Sequence, residues 1–180
     1  NKETITKQRE IIADALGANT NEIYFTAGGS ESDNWALKAT AEAYRSKGNH
    51  IITTKIEHHA ILHTCEYLEK EGFEVTYLDV DENGTVKLED LRAAIRPTTI
   101  LISIMFANNE IGTIQPVKKI AEIVHEYNGI LHVDAVQAFM HTHINVKELG
   151  IDLMSASGHK INCPKSIGFL YKRKDLNITP

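Results

Sequence analysis

Lys160 stands in the run Ser157-Gly158-His159-Lys160, and Asp134 stands upstream in His132-Val133-Asp134-Ala135-Val136-Gln137. A lysine flanked by a hydroxyl, a glycine and an imidazole is placed for covalent chemistry at a carbonyl carbon. A carboxylate that follows an apolar strand can pair with a protonated heterocyclic nitrogen. Together the runs outline a site for pyridoxal 5'-phosphate (PLP), with Lys160 for the Schiff base, Asp134 for the pyridinium, and Ser157 and His159 as donors to phosphate. Neither run carries that reading alone.

Three further runs could complete such a site. In Gly28-Gly29-Ser30-Glu31-Ser32, glycines let backbone approach an anion, and a helix beginning there with the Ser30 hydroxyl could bind phosphate. An ordinary capping turn fits the same residues. His58, in Ile56-Glu57-His58-His59, could stack on a flat ring and move protons, or simply start a helix. Asn109, in Asn108-Asn109-Glu110-Ile111-Gly112, could donate to a phenolate oxygen, and Gln137 points at the same atom. Asp134 also fits a helix cap. Cys163 is a lone loop cysteine, a type that is more often a bystander than a nucleophile.

The elements that must position these residues follow from periodicity. Ile5, Ile11, Ile12, Ala15 and Leu16 share a helical face stopped by Gly17. A strand at 23–25 leads through Gly28-Gly29 to a helix capped by Ser30 and running through Tyr44. A strand at 50–54 precedes a helix from about His58 to Lys70. The segment 74–78 alternates like a strand, and Asp81-Glu82-Asn83-Gly84 is a turn. A helix spans 88–95, and 100–104 reads as a strand covered on both faces. Pro116 opens a helix that stops at Gly129, and strands follow at 130–133, 153–155 and 168–171. This pattern predicts an α/β fold, a three-layer α/β/α sandwich around a mostly parallel seven-stranded sheet. Ligands collect beyond the carboxyl ends of such strands, where the singled-out residues fall.

Composition bounds the rest. The chain has 180 residues, 42% of them hydrophobic, a net charge of −5 and two cysteines. That is enough for one sizeable core; the charge argues against a nucleic-acid partner, and no apolar run is long enough to span a bilayer. The short basic cluster Lys172-Arg173-Lys174 reads as a solvated terminus. Two cysteines cannot make a disulfide framework, which points to a cytoplasmic setting. No residue set suggests a metal.

The runs Gly28 to Asn34, Glu57-His58, Asn108 to Pro116, Asp134 to Gln137 and Ser157 to Lys160 resemble the signature of the cysteine desulfurases. These lie in the class V aminotransferase branch of the aspartate-aminotransferase-like PLP enzymes. The resemblance covers essentially the whole chain, in order, and implies the large PLP-binding domain over 1–180. It implies that Lys160 carries the cofactor, that Asp134 pairs with the pyridinium and that His58 stacks on the ring. Asn109 and Gln137 would contact the ring oxygen, and Gly29, Ser30, Ser157 and His159 would hold the phosphate. Lys160 and His58 would be the catalytic pair.

The implied reaction converts L-cysteine to L-alanine and leaves sulfur as a persulfide on an enzyme cysteine, for transfer to an iron–sulfur scaffold or carrier protein. A homodimer is implied, because related sites borrow residues across a two-fold interface. The family's N-terminal segment and C-terminal small domain have no counterpart here, and neither Cys65 nor Cys163 matches the persulfide cysteine. Met140, Cys163 and Ser166 stand where the family usually has glycine, at a cost on the order of 1 kcal/mol each where the backbone needs positive φ. The chain by itself is therefore expected to be inactive or weakly active. Two other readings stay open: another class V enzyme, such as a selenocysteine lyase or an aminotransferase, and a non-catalytic domain that has lost the cofactor.

Overall fold

The computed structural model describes residues 1–108, 110–139, 141–157 and 167–179. Seven strands form one sheet: β1 (Ile23–Thr26), β2 (His50–Thr54), β3 (Glu74–Leu78), β4 (Thr99–Met105), β5 (Ile130–Asp134), β6 (Leu153–Ser157) and β7 (Gly168–Lys172). Their order is β1-β7-β6-β5-β4-β2-β3. The pairs from β3 through β6 are parallel, while β7 runs antiparallel to both β6 and β1. The α/β sandwich and mostly parallel sheet expected from the sequence are what form.

Helices cover both faces. On one side α2 (Gly29–Tyr44) and α3 (His59–Lys70) bury Ala36, Leu37, Ala41, Ile61 and Leu68 against Ile51, Leu101, Leu153 and Leu170. On the other, α1 (Lys2–Leu16), α4 (Leu88–Ala94) and α5 (Val117–Glu126) pack Ile12, Leu16, Leu91, Ile120 and Val124 on Ile102, Leu131, Val133 and Met154. Successive strand residues point to opposite faces. Leu101 and Ser103, Ile130 and His132, and Leu153 and Ser155 therefore share the α2 side, so a polar row follows an apolar one toward the carboxyl ends.

Local chemistry moves two boundaries and adds one short helix. Gly28, not Ser30, is the N-cap of α2, because Thr26 and Ser32 close the turn earlier. The Thr26 hydroxyl meets the Gly28 carbonyl at 3.0 Å and the Ser32 hydroxyl at 2.7 Å. Beyond α5 it is Asn128, at φ 58°, that takes the left-handed conformation ahead of Gly129. A short helix without a sequence expectation, α6 (Val146–Leu149), is capped by the Asn145 side chain, which accepts from the Lys147 and Glu148 amides. Gly17 does end α1 in the left-handed region, at φ 66°.

The basic cluster near the end of the chain is not a solvated tail. Lys172 is buried and its ammonium donates to the Leu176 carbonyl at 2.9 Å. Arg173 pairs with Asp152 at 2.8 Å. Asp152 thus holds Arg173 and the Leu176 carbonyl holds Lys172, while Lys174 stays exposed.

Candidate active site

A cavity of about 750 Å³ opens at the carboxyl ends of β2, β4 and β5, beneath the first turn of α2. Gly29, Ser30 and Asp33 line it from α2, and Glu57 and His58 from the segment after β2. Met105 and Asn108 come from β4 and its following loop, and Asp134 and Gln137 from the end of β5 and the turn after it. Five residues expected from the sequence, Gly29, Ser30, His58, Asp134 and Gln137, are thus brought together. Asn109, His159 and Lys160 lie outside the described residues, as do Met140, Cys163 and Ser166.

Two glycines make one corner possible. A Cβ on Gly29 would lie 2.5 Å from Val136 Cγ2, so only glycine lets the start of α2 rest on the turn after Asp134. A Cβ on Gly168 would collide with the Gly28 backbone. Gly168 pairs with Ser157 at the end of β6, which places Ser157 one strand away from the Gly28 backbone; Ser157 is not among the residues that line the cavity. The amides that begin α2 have no intrahelical acceptor, and the helix dipole favours an anion there. This corner fits a phosphate.

The floor is acidic and buried. Burial drives Asp33 well above the ordinary carboxylate range, and the neighbouring Asp134 charge adds to the effect. Burial raises Asp134 too, against the Val136 amide, which donates to Oδ1 at 3.0 Å. Burial pushes Glu57 up to about 8, against the Thr54 hydroxyl that donates to it. Asp33 Oδ1 and Glu57 Oε1 have no hydrogen-bond partner among the described residues. No described lysine or arginine pairs with any of the three acids. Lys55 also lines the cavity, but its ammonium pairs with Asp79 at 2.7 Å. Buried acids that meet no lysine or arginine among the described residues fit a cationic ring, and the orphaned oxygens agree with that.

His58 serves two purposes. It is the N-cap of α3, and its Nδ1 accepts from the Ala60 amide at 3.1 Å. In the neutral ring that bond leaves the proton on Nε2. Asn108 is committed to its loop, since its Oδ1 accepts from the Glu110 amide at 2.8 Å and from Ile111 at 3.3 Å. Gly112 takes φ 69° to close that turn. Cys65 is buried and its thiol is pushed up to about 12, so it offers no thiolate near neutral pH.

Asp33 and Glu57 line the cavity and His132 lies beneath it against Ser155 and Asp33, and none of the three was singled out from the sequence as a site residue. A signal existed for Asp33. It shares the buried face of α2 with Ala36, Leu37, Thr40 and Ala41, and a charged residue on an apolar stripe is rarely idle. His132 was legible in the same way, as an imidazole inside an otherwise apolar strand. Glu57 had no comparable mark, because its burial depends on how the loop after β2 folds back.

A parallel sheet with a phosphate-fitting helix start and an acid set for a cationic ring defines a PLP-type site. Residues 1–179 match the family model described as aminotransferase class-V, and the chain belongs to that family, whose enzymes are PLP-dependent. It is 62% identical over 179 residues to the cysteine desulfurase IscS of Methanosarcina thermophila, spanning 99% of this chain and 44% of that protein. It is 58% identical over 177 residues to the cysteine desulfurase IscS of Clostridium botulinum (strain Kyoto / Type A2), covering 98% of this chain and 45% of that protein.

Among solved structures, SspA in complex with cysteine superposes with a TM-score of 0.93 at 44% identity, over 99% of this chain and 52% of that one. A NifS-like protein superposes with a TM-score of 0.92 at 45% identity, over 97% of this chain and 48% of that one. The chain spans under half the length of the curated relatives it matches. Among the described residues no helix is long and apolar enough to cross a membrane.

Proposed function

We propose that residues 1–180 form the PLP-binding large domain of a cysteine desulfurase. The observation that carries this reading is the cavity whose floor holds Asp33, Glu57 and Asp134 without a described counter-cation and whose rim is the amino end of α2. Gly29, Ser30, Ser157 and His159 would hold the phosphate, Asp134 the pyridinium, and Asn109 and Gln137 the ring oxygen. When bound, PLP supplies an electron sink for charge that develops beside the substrate amine. His58 would lie against the ring, with its Nε2 proton available for transfer, and the Lys160 amine would attach the cofactor and then move protons.

In the overall reaction, L-cysteine and an enzyme thiol give L-alanine and an enzyme persulfide. The substrate C–S bond breaks, an S–S bond forms, and one thiol proton ends on the alanine methyl group. The persulfide cysteine and the group that binds the substrate carboxylate would come from outside these 180 residues. The chain alone is therefore expected to bind cofactor with weak turnover or none. A homodimer, a sulfur-accepting or iron–sulfur scaffold partner and a cytoplasmic location complete the proposal. Ile111 and Ile114, exposed beside the cavity mouth, support a covering partner.

Alanine release from L-cysteine by the full-length protein is the test. Turnover that is abolished by Lys160→Ala is expected. A PLP-loaded protein that releases no alanine from cysteine overturns the desulfurase assignment.

A further inference from the structure

Under the cavity, Ser103, His132 and Ser155 lie on adjacent strands of the α2 face. The Ser103 hydroxyl meets His132 Nδ1 at 2.8 Å, and His132 Nε2 meets the Ser155 hydroxyl at 2.8 Å. His132 is fully buried, and burial drives its ring down to about 3, so the imidazole is neutral with one donor and one acceptor. Asp33 reaches down from α2, with Oδ1 3.7 Å from His132 Nε2. Its carboxyl group lies close enough to the Ser155 hydroxyl and the Asp134 carboxyl for both to act on its ionisation, Ser155 lowering it and Asp134 raising it.

Two carboxyl groups in such contact attract only if they share a proton. One arrangement uses every donor in a single direction. Ser103 O–H donates to Nδ1, Nε2–H to Ser155, Ser155 O–H to Asp33, and Asp33 O–H to Asp134. In the other imidazole tautomer the Ser155 proton turns back to His132, and Asp33 loses that donor.

We propose that Asp33 is a positioning residue: at the end of the line Ser103, His132, Ser155, Asp33, its carboxylic O–H holds the Asp134 carboxylate as the one ionised member of the buried cluster Asp33, Glu57 and Asp134. Asp33 lies one turn beyond Gly29 and Ser30 on the same helix, so α2 would fix the phosphate end and the ring-nitrogen end of the cofactor together. Glu57, which burial pushes up to about 8, holds its proton at neutral pH and leaves one negative charge among the three buried acids. This inference rests on reading the cavity as a PLP site.

The test has a part that needs no cofactor. In the chain without PLP, carboxyl ¹³C resonances at neutral pH are expected to show Asp33 protonated and Asp134 ionised. An ionised Asp33 would overturn the proposal. In PLP titrations, Asp33→Asn, whose amide N–H replaces the donor, is expected to stay within about twofold of the parent affinity, while Asp33→Ala loses about tenfold or more. Equal binding by the two variants, both shown to be folded by urea unfolding, would also overturn it.

If Asp33→Ala does not fold, Ser155→Ala removes the upstream donor instead. It is expected to raise the pH at which Asp33 ionises, and an unchanged ¹³C titration would refute the line. A parent chain that takes up no PLP defeats the cavity reading, while the cofactor-free resonances still decide the Asp33 bond.

Discussion

At the amino ends of the strands, Glu22 is fully buried and answered. Lys147 Nζ lies 2.7 Å from it, and the Asn19 and Lys174 amides donate at 2.9 Å. Asp152, in the same layer, pairs with Arg173 at 2.8 Å and with His125 at 2.8 Å. At the carboxyl ends, Asp33, Asp134 and Glu57 are also buried, yet no described lysine or arginine meets them. The strands thus end in ion-paired acids on one side and, on the other, in buried acids that meet no lysine or arginine among the described residues. Acids that serve only the fold bring their own cation; acids kept for a ligand wait for it, at a cost in stability before it binds.

The two layers carry opposite pH signatures. Burial raises Glu22, but the Lys147, Asn19 and Lys174 hydrogen bonds more than offset it and leave it lowered. Its contribution is present above its unfolded pKa and is lost as pH falls through the lower folded value. Burial leaves Glu57 at about 8 against an ordinary 4.5. Between those values the folded chain holds the extra proton, so stability falls as pH rises through that window. Asp33 and Asp134, also raised, add to the same slope.

The contrast breaks most readily at Asp134. Asp134→Asn is expected to cost PLP affinity about a hundredfold, the effect of removing one member of a buried charge pair. The cofactor-free stability of the variant at neutral pH should equal or exceed the parent's. A urea titration showing marked destabilisation would make Asp134 a fold acid like Glu22.

Lys147→Met sharpens the other half by stranding Glu22. A cost of about 1–3 kcal/mol is expected in urea unfolding, below the full buried-pair penalty because the lysine is half exposed. PLP affinity of the folded fraction should not change. The smallest effect belongs to Glu57→Gln, which should leave stability at pH 5 nearly unchanged and flatten the fall toward pH 8. An unaltered slope in that variant would place the titrating proton elsewhere.

Most of the fold was legible because periodicity marks it. The alternation of apolar strands with amphipathic helices gives seven strands, and the continuous apolar run of β4 identifies a strand covered on both faces. The helix α6 escaped because four residues carry no period, and its Asn145 cap is visible only once the side chain folds back. At the site, Gly29, Ser30, His58, Asp134 and Gln137 were readable from their positions just past strands. Asp33 and His132 left a weaker mark, because each sits within a regular element, where a polar residue registers as an imperfection in the pattern. Their meaning emerges when β4, β5, β6 and α2 meet, through contacts between residues far apart in the chain.

The central claim is that the acids at the carboxyl ends of the sheet await a cationic ring. It is tested most directly by ¹⁵N resonance of PLP labelled at its pyridine nitrogen and bound to the chain, followed from neutral to alkaline pH. A nitrogen that stays protonated well above the pH at which free PLP loses its proton, and that loses this protection in Asp134→Asn, is the expected result. An unprotonated nitrogen in the bound parent, or no saturable binding, would contradict it.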